Sequence, residues 1–129
     1  MAETTTIDEI TAGAIRRALA SAAAGHLSEA CASAERALSE GGEPASLHAM
    51  LGMLRCSSGD LERGVEHLRS AHAVRPGDPV IVRNLATTLG QLGHYQEGLG
   101  IITDDLVRLD KSYQLLKLRA FLTSGIAVR

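Results

Sequence analysis

A chain of 129 residues with 13 basic and 15 acidic side chains, a formal charge of −2 and no long run of either sign has room for one domain and no evident surface for nucleic acid or an anionic membrane. Two cysteines, Cys31 and Cys56, lack the number and spacing of a disulfide framework or a zinc site, and no apolar run reaches the length of a signal-peptide core or a membrane span. The setting these features imply is reducing and cytoplasmic, around a core that removes roughly two thirds of the unfolded surface from water.

Residues 1–9 read as a flexible, polar N-terminus and residues 10–129 as a single domain. Thr6 or Asp8 can cap a first helix, whose apolar positions Ile10, Ala14, Ile15, Ala18, Leu19 and Ala22 recur at helical spacing to about Ala24. Gly25 ends it, because the residue just past a helix commonly takes the left-handed conformation that glycine adopts without penalty. A second helix follows over about 27–39, then a break at Gly41 to Pro44, with Pro44 in the first turn of the next helix. That helix carries Leu47, Met50, Leu51 and Leu54. After the turn at Gly59 the next carries Leu61, Val65, Leu68 and Ala71 and is closed by Pro76. Asp78 and Pro79 start a helix to about Leu92, and another is predicted from about Tyr95 to Leu109. Ser112 is placed to cap a last helix through about Thr123, where Gly125 interrupts the pattern.

The turns repeat. Gly25, Gly59 and Gly93 stand a constant 34 residues apart, each followed by the start of a second helix, so the chain divides into units of about 11–44, 45–78 and 79–112 with an unpaired or capping helix at about 113–124. A fixed period of this size in a helical sequence marks a stacked repeat protein. Three columns of small residues recur with it: Ala18, Gly52 and Ala86; Ala30, Gly64 and Gly98; Ala37 and Ala71. Where helix axes approach to about 8–10 Å, a large side chain would hold them apart. Large apolar residues surround those columns at Leu51 and Leu85, at Leu27, Leu61 and Tyr95, and at Leu68 and Ile102. This pattern resembles the tetratricopeptide repeat (TPR) family, and the resemblance implies an all-α, right-handed solenoid of antiparallel helix pairs. The sequence departs from the family at Arg17 and Ala34 in the first unit, where large apolar residues are usual, and at Asp105, which occupies a small-residue column of the third. Asp105 is expected to turn outward by a local adjustment, with Leu106 taking the packing role.

No catalytic, cofactor-binding or metal-binding constellation is present in the pattern. The histidines are scattered, and His67 and His72 are five apart, where one helix face favours ligands three or four apart. What the resemblance implies instead is a concave groove lined by the first helix of each pair. It would include Ile15, Arg16 and Leu19, then Met50 and Met53, then Arg83, Asn84 and Thr87, then Lys117. The expected function is a protein–protein interaction scaffold for a peptide with an apolar part near the methionines and an acidic group near Arg83 and Lys117. The family's carboxylate clamp for chaperone tails finds Ile15, Leu19, Met50, Val80 and Asn84 at its positions, with no cation among them, which disfavours that subtype. Two further readings stand beside the scaffold. The chain could be the N-terminal recruiting arm of a larger enzyme such as a transferase, with the chemistry beyond residue 129. Alternatively, the apolar last helix could self-associate as a homodimer through Leu118, Phe121 and Leu122.

Overall fold

The computed structural model describes residues 6–128, so residues 1–5 of the expected flexible terminus lie outside the described residues. From Thr6 onward the chain is ordered into helix: the Thr6 hydroxyl accepts the Glu9 backbone N–H at 3.1 Å and opens α1 (Ile7–Ala23). The remaining helices are α2 (Leu27–Ser39), α3 (Pro44–Ser57), α4 (Leu61–Val74), α5 (Pro79–Gln91), α6 (Tyr95–Ile101), α7 (Asp104–Leu109) and α8 (Gln114–Val128). There is no strand among the described residues. The fold class is all-α, as the periodicity predicts.

The same closure ends four helices. In the turn after α3, Gly59 sits at φ +88°, the Asp60 N–H reaches back to the Arg55 carbonyl at 2.9 Å, and the Gly59 N–H bonds the Cys56 carbonyl at 3.0 Å. Gly25, Gly41 and Gly93 close α1, α2 and α5 with the same pair of bonds. Helix starts are equally explicit. Both Glu43 carboxylate oxygens cap α3, accepting from Ala45 and Ser46, and Asp78 caps α5 through Val80 and Ile81. The helix before Pro76 stops at Val74, since a residue preceding proline is pushed out of the helical region.

The chain forms two compact units, residues 1–74 and 75–129. In the first, α1 packs on α2, α2 on α3, and α3 most extensively on α4. Its core gathers Ala14, Ala18, Ala30, Cys31, Ala34 and Ala37 with Leu47, Leu51 and Leu54. Thr11 ties α1 to the beginning of α3: its hydroxyl donates to the Ile7 carbonyl at 2.7 Å and accepts the Glu43 N–H at 2.8 Å. The expected small-residue contact is present where α3 crosses α4. A methyl group on Gly52 would lie 2.6 Å from Leu68 Cγ and 3.0 Å from the Gly64 carbonyl oxygen, and one on Gly64 would lie 2.3 Å from Cys56 Sγ.

In the second unit α5 packs on α6, and α8 packs on both, around Val82, Ala86, Ile102, Leu106, Leu115 and Leu122. Two details differ from the sequence expectation. The helix expected over 95–109 is broken at Ile102 and Thr103. Thr103 recaps the chain by accepting the Leu106 N–H at 3.2 Å, so that Asp105 faces water beside Arg108 while Leu106 is buried. This is the outward turn of Asp105, and its physical cause is the cost of burying an unpaired carboxylate. The last helix runs through Gly125 to Val128, and Gly125 does not interrupt it: a Cβ there would meet the Tyr95 ring at 2.7 Å, so glycine admits the ring. The cap of α8 is the Asp110 carboxylate rather than Ser112. One Asp110 oxygen accepts the Leu115 N–H at 2.6 Å and the other accepts the Ser112 hydroxyl at 2.6 Å, across a turn that holds Tyr113 at φ 60°.

Candidate functional site

Helical spacing places Arg16 on the side of α1 opposite the wholly buried Ala14 and Ala18, with Ile15 and Leu19 flanking that buried stripe, and Met50 and Met53 beside the buried Leu51 and Leu54 of α3. Helices α1 and α3 are in contact within the first unit, held in register by the Thr11–Glu43 bond. Leu19 is 57% exposed and Met53 51% exposed, while Ile15 and Met50 are half-buried. Large apolar side chains left to water on adjacent first helices form a face that an apolar partner side chain could cover.

In the second unit Arg83 and Asn84 are half-buried and Thr87 exposed on α5, with Lys117 exposed on the adjacent α8. The chain's own Asp110 already senses the Arg83 charge. Its carboxyl is held below the usual 3.8, chiefly by the Leu115 N–H, then by the Ser112 hydroxyl, with the Ser112 N–H and Arg83 adding and burial opposing. The nine candidate residues fall in two sets, one on the neighbouring helices α1 and α3 and one on the neighbouring helices α5 and α8.

The expected apolar face of Leu118, Phe121 and Leu122 divides. Leu122 is wholly buried, its methyl carbons lying where side chains on Gly90 and Gly98 would stand, and Leu118 is half-buried against the same core. Leu122 thus belongs to the packing of α8 onto α5 and α6, which corrects its assignment to an open face. Phe121 remains 58% exposed, edge-on to Tyr95 with ring centroids 6.5 Å apart, and Leu116 is 44% exposed. A depression of about 390 Å³ lies away from the candidate residues, between the start of α6 and Ile126 of α8.

No group of three or more metal-ligating side chains occurs among the described residues, and no helix among them is long and apolar enough to cross a membrane. The cysteines remain thiols, Cys31 buried and Cys56 half-buried. One polar contact escaped the spacing argument. His48 of α3 and His67 of α4 meet with Nδ1 atoms 3.1 Å apart. The hairpin register contains the signal for it, because Gly52 faces Gly64, and one turn back from Gly52 and one turn on from Gly64 lead to these two histidines.

No family model matches the chain, and no curated protein matches it. Among solved structures it is similar to a mutant O-GlcNAc transferase from Thermobaculum terrenum, with a TM-score of 0.67 and 20% identity, over 92% of this chain and 21% of that one. This chain therefore spans about a fifth of that protein's length. At this identity the likeness shows the fold alone, an all-α succession of packed helices.

Proposed function

We propose that the chain is a tetratricopeptide-type protein-interaction module that binds a segment of a partner protein on its first helices. The 34-residue turn series and the small-residue columns support the family reading, and the exposed Leu19 and Met53 carry the functional one. In residues 1–74 apolar partner side chains are taken on Ile15, Leu19, Met50 and Met53; in residues 75–129, as a contact considered by itself, acidic ones are taken near Arg83 and Lys117. Methionine suits such a face, since its flexible thioether adapts to different apolar shapes. Binding draws on apolar burial, with charge selecting among partners.

A display library of random peptides, panned on the immobilised chain, tests this. Selected peptides are expected to lose about tenfold or more in affinity to the Leu19→Ser, Met53→Ala double variant, in keeping with the loss of two apolar contacts. Acidic peptides that bind residues 75–129 are expected to weaken with Arg83→Glu. Peptides that bind both variants as tightly as the parent would overturn the assignment.

A second reading is favoured by the transferase likeness: these helices would be the recruiting arm of a larger enzyme. An immunoblot of source cells with serum against the chain separates the two. A band near 13.6 kDa supports a free-standing adaptor, and a much heavier one supports the arm. Self-association through Phe121 with the half-buried Leu118 is the third reading, and light scattering at high concentration giving a strict monomer removes it.

A further inference from the structure

The two histidines of the α3–α4 hairpin are placed so that the proton count between them matters. Their Nδ1 atoms are 3.1 Å apart, their ring centroids 5.3 Å apart and their planes inclined by 30°, and both side chains are half-buried. Two unprotonated imidazole nitrogens at that distance would oppose lone pairs. In the neutral pair one ring therefore carries its proton on Nδ1 and donates, while the other accepts. One added proton leaves a donor facing a lone pair, and the bond persists. A second puts two N–H groups and two positive rings face to face.

The surroundings make that second proton costlier. On α3, Arg55 places a permanent charge near His67, and its Nη2 is anchored to Glu35 of α2 at 3.0 Å. Arg55 Nε is buried with no hydrogen-bond partner among the described residues. Glu35 and the exposed Glu66 of α4 act in the opposite direction, but Glu35 is engaged by Arg55. Burial pushes His48 below the ordinary histidine value of 6.5. It does the same to His67, where the charges of His48 and Arg55 add to it against Glu35 and Glu66. A transition-metal ion between the rings would find only these two ligands, since no third histidine, cysteine or carboxylate among the described residues completes a site, and Arg55 stands nearby.

We propose that His48 and His67 form a proton-operated latch on the α3–α4 hairpin, closed while they share an Nδ1 proton and released when both rings are charged. Both folded-state values lie below the unfolded one, so the unfolded chain takes up protons first as pH falls. The latch contributes fully above the ordinary value of 6.5, is lost as pH falls from there through the folded values, and changes no further below them. Because α3 also carries Met50 and Met53, release would loosen the proposed apolar face. That consequence rests on the interaction reading, whereas the latch itself does not.

The test uses the full chain and no ligand, so its failure is distinguishable from failure of the binding proposal. Urea unfolding is followed from about pH 7.5 to about pH 5, in the parent and in His48→Phe, with His72→Ala, on the helix that carries His67, as a control. The folding constant of the parent and of the control is expected to fall roughly three- to tenfold more than that of His48→Phe. Equal falls in all three overturn the latch. Should His48→Phe fail to fold, the ring resonances of the parent decide by NMR. Two separated steps, each visible on both His48 and His67, support the shared proton, and a single independent step on each ring overturns it.

Discussion

The sign of a substitution at glycine depends here on what stands beside it. A methyl group on Gly52 would fall within 3.0 Å of the Gly64 carbonyl as well as 2.6 Å from Leu68, and a backbone oxygen cannot move aside as a side-chain terminus can. Gly52→Ala must therefore separate α3 from α4, and we expect a loss of about 1–2 kcal/mol after the helix-propensity gain is counted. Gly100, on α6, has nothing within 4 Å of the same added atom. Gly100→Ala is expected to stabilise by about 0.5–1 kcal/mol, because alanine loses less backbone freedom on folding. Urea midpoints for the pair check both signs, and a stabilising Gly52→Ala would show that the crossing has slack the geometry denies. The sequence makes Gly52 legible because Ala18 and Ala86 occupy the same place one period away. Gly100 has no counterpart column, and its openness is readable only once α6 is seen to be exposed on that side.

Among the helices, the clearest departures from the sequence lie between 102 and 113, where the repeat pattern conflicts with individual residues. Asp105 occupies a column that demands a small buried side chain, and the conflict signals that something must give. It does not say that Thr103 will restart the helix, because a threonine hydroxyl caps only where the backbone has already left helical geometry. Likewise Asp110, four residues before α8, is a cap only because Tyr113 adopts the left-handed turn that brings the carboxylate back to Leu115. That geometry has a consequence in acid. The Asp110 carboxyl is held below 3.8 in the folded chain, so its contribution is present above that value and is lost as pH falls through the folded one. In hydrogen exchange near neutral pH, Asp110→Asn is expected to speed the Leu115 amide relative to the parent. The variant should also lose the extra loosening of the first turn of α8 that the parent shows below about pH 3.8. Identical exchange at Leu115 in parent and variant would mean that packing of Leu115, not the carboxylate, holds the turn. This window lies well below the histidine one, so the two titrations can be read separately in the same protein.

Across the whole chain, a repeat protein distributes its stability unit by unit, and the two compact units here are unequal in what they can distribute. Residues 1–74 hold four helices of 13 to 17 residues, two extensively packed hairpins and a bond from Thr11 to the start of α3. Residues 75–129 hold α6 and α7, of 7 and 6 residues, separated by a break. Short helices satisfy fewer of their own backbone groups, because the end groups left without an intrahelical partner are a larger share of each. Native-state hydrogen exchange on the full chain is therefore expected to find its slowest amides at Leu51, Leu54, Val65 and Leu68, and its fastest helical amides in α7. The same reasoning extends to fragments. Residues 1–74 alone should give a helical spectrum and a cooperative melt, whereas 75–129, near the lower limit of size for an unaided hydrophobic core, should lose most of its helicity. A fragment 75–129 that melts as cooperatively as 1–74 would show that Leu115, Leu122 and Ile102 form a stronger core than their few helical turns suggest. It would also make the second unit a folding centre in its own right rather than the part of the repeat array that opens first.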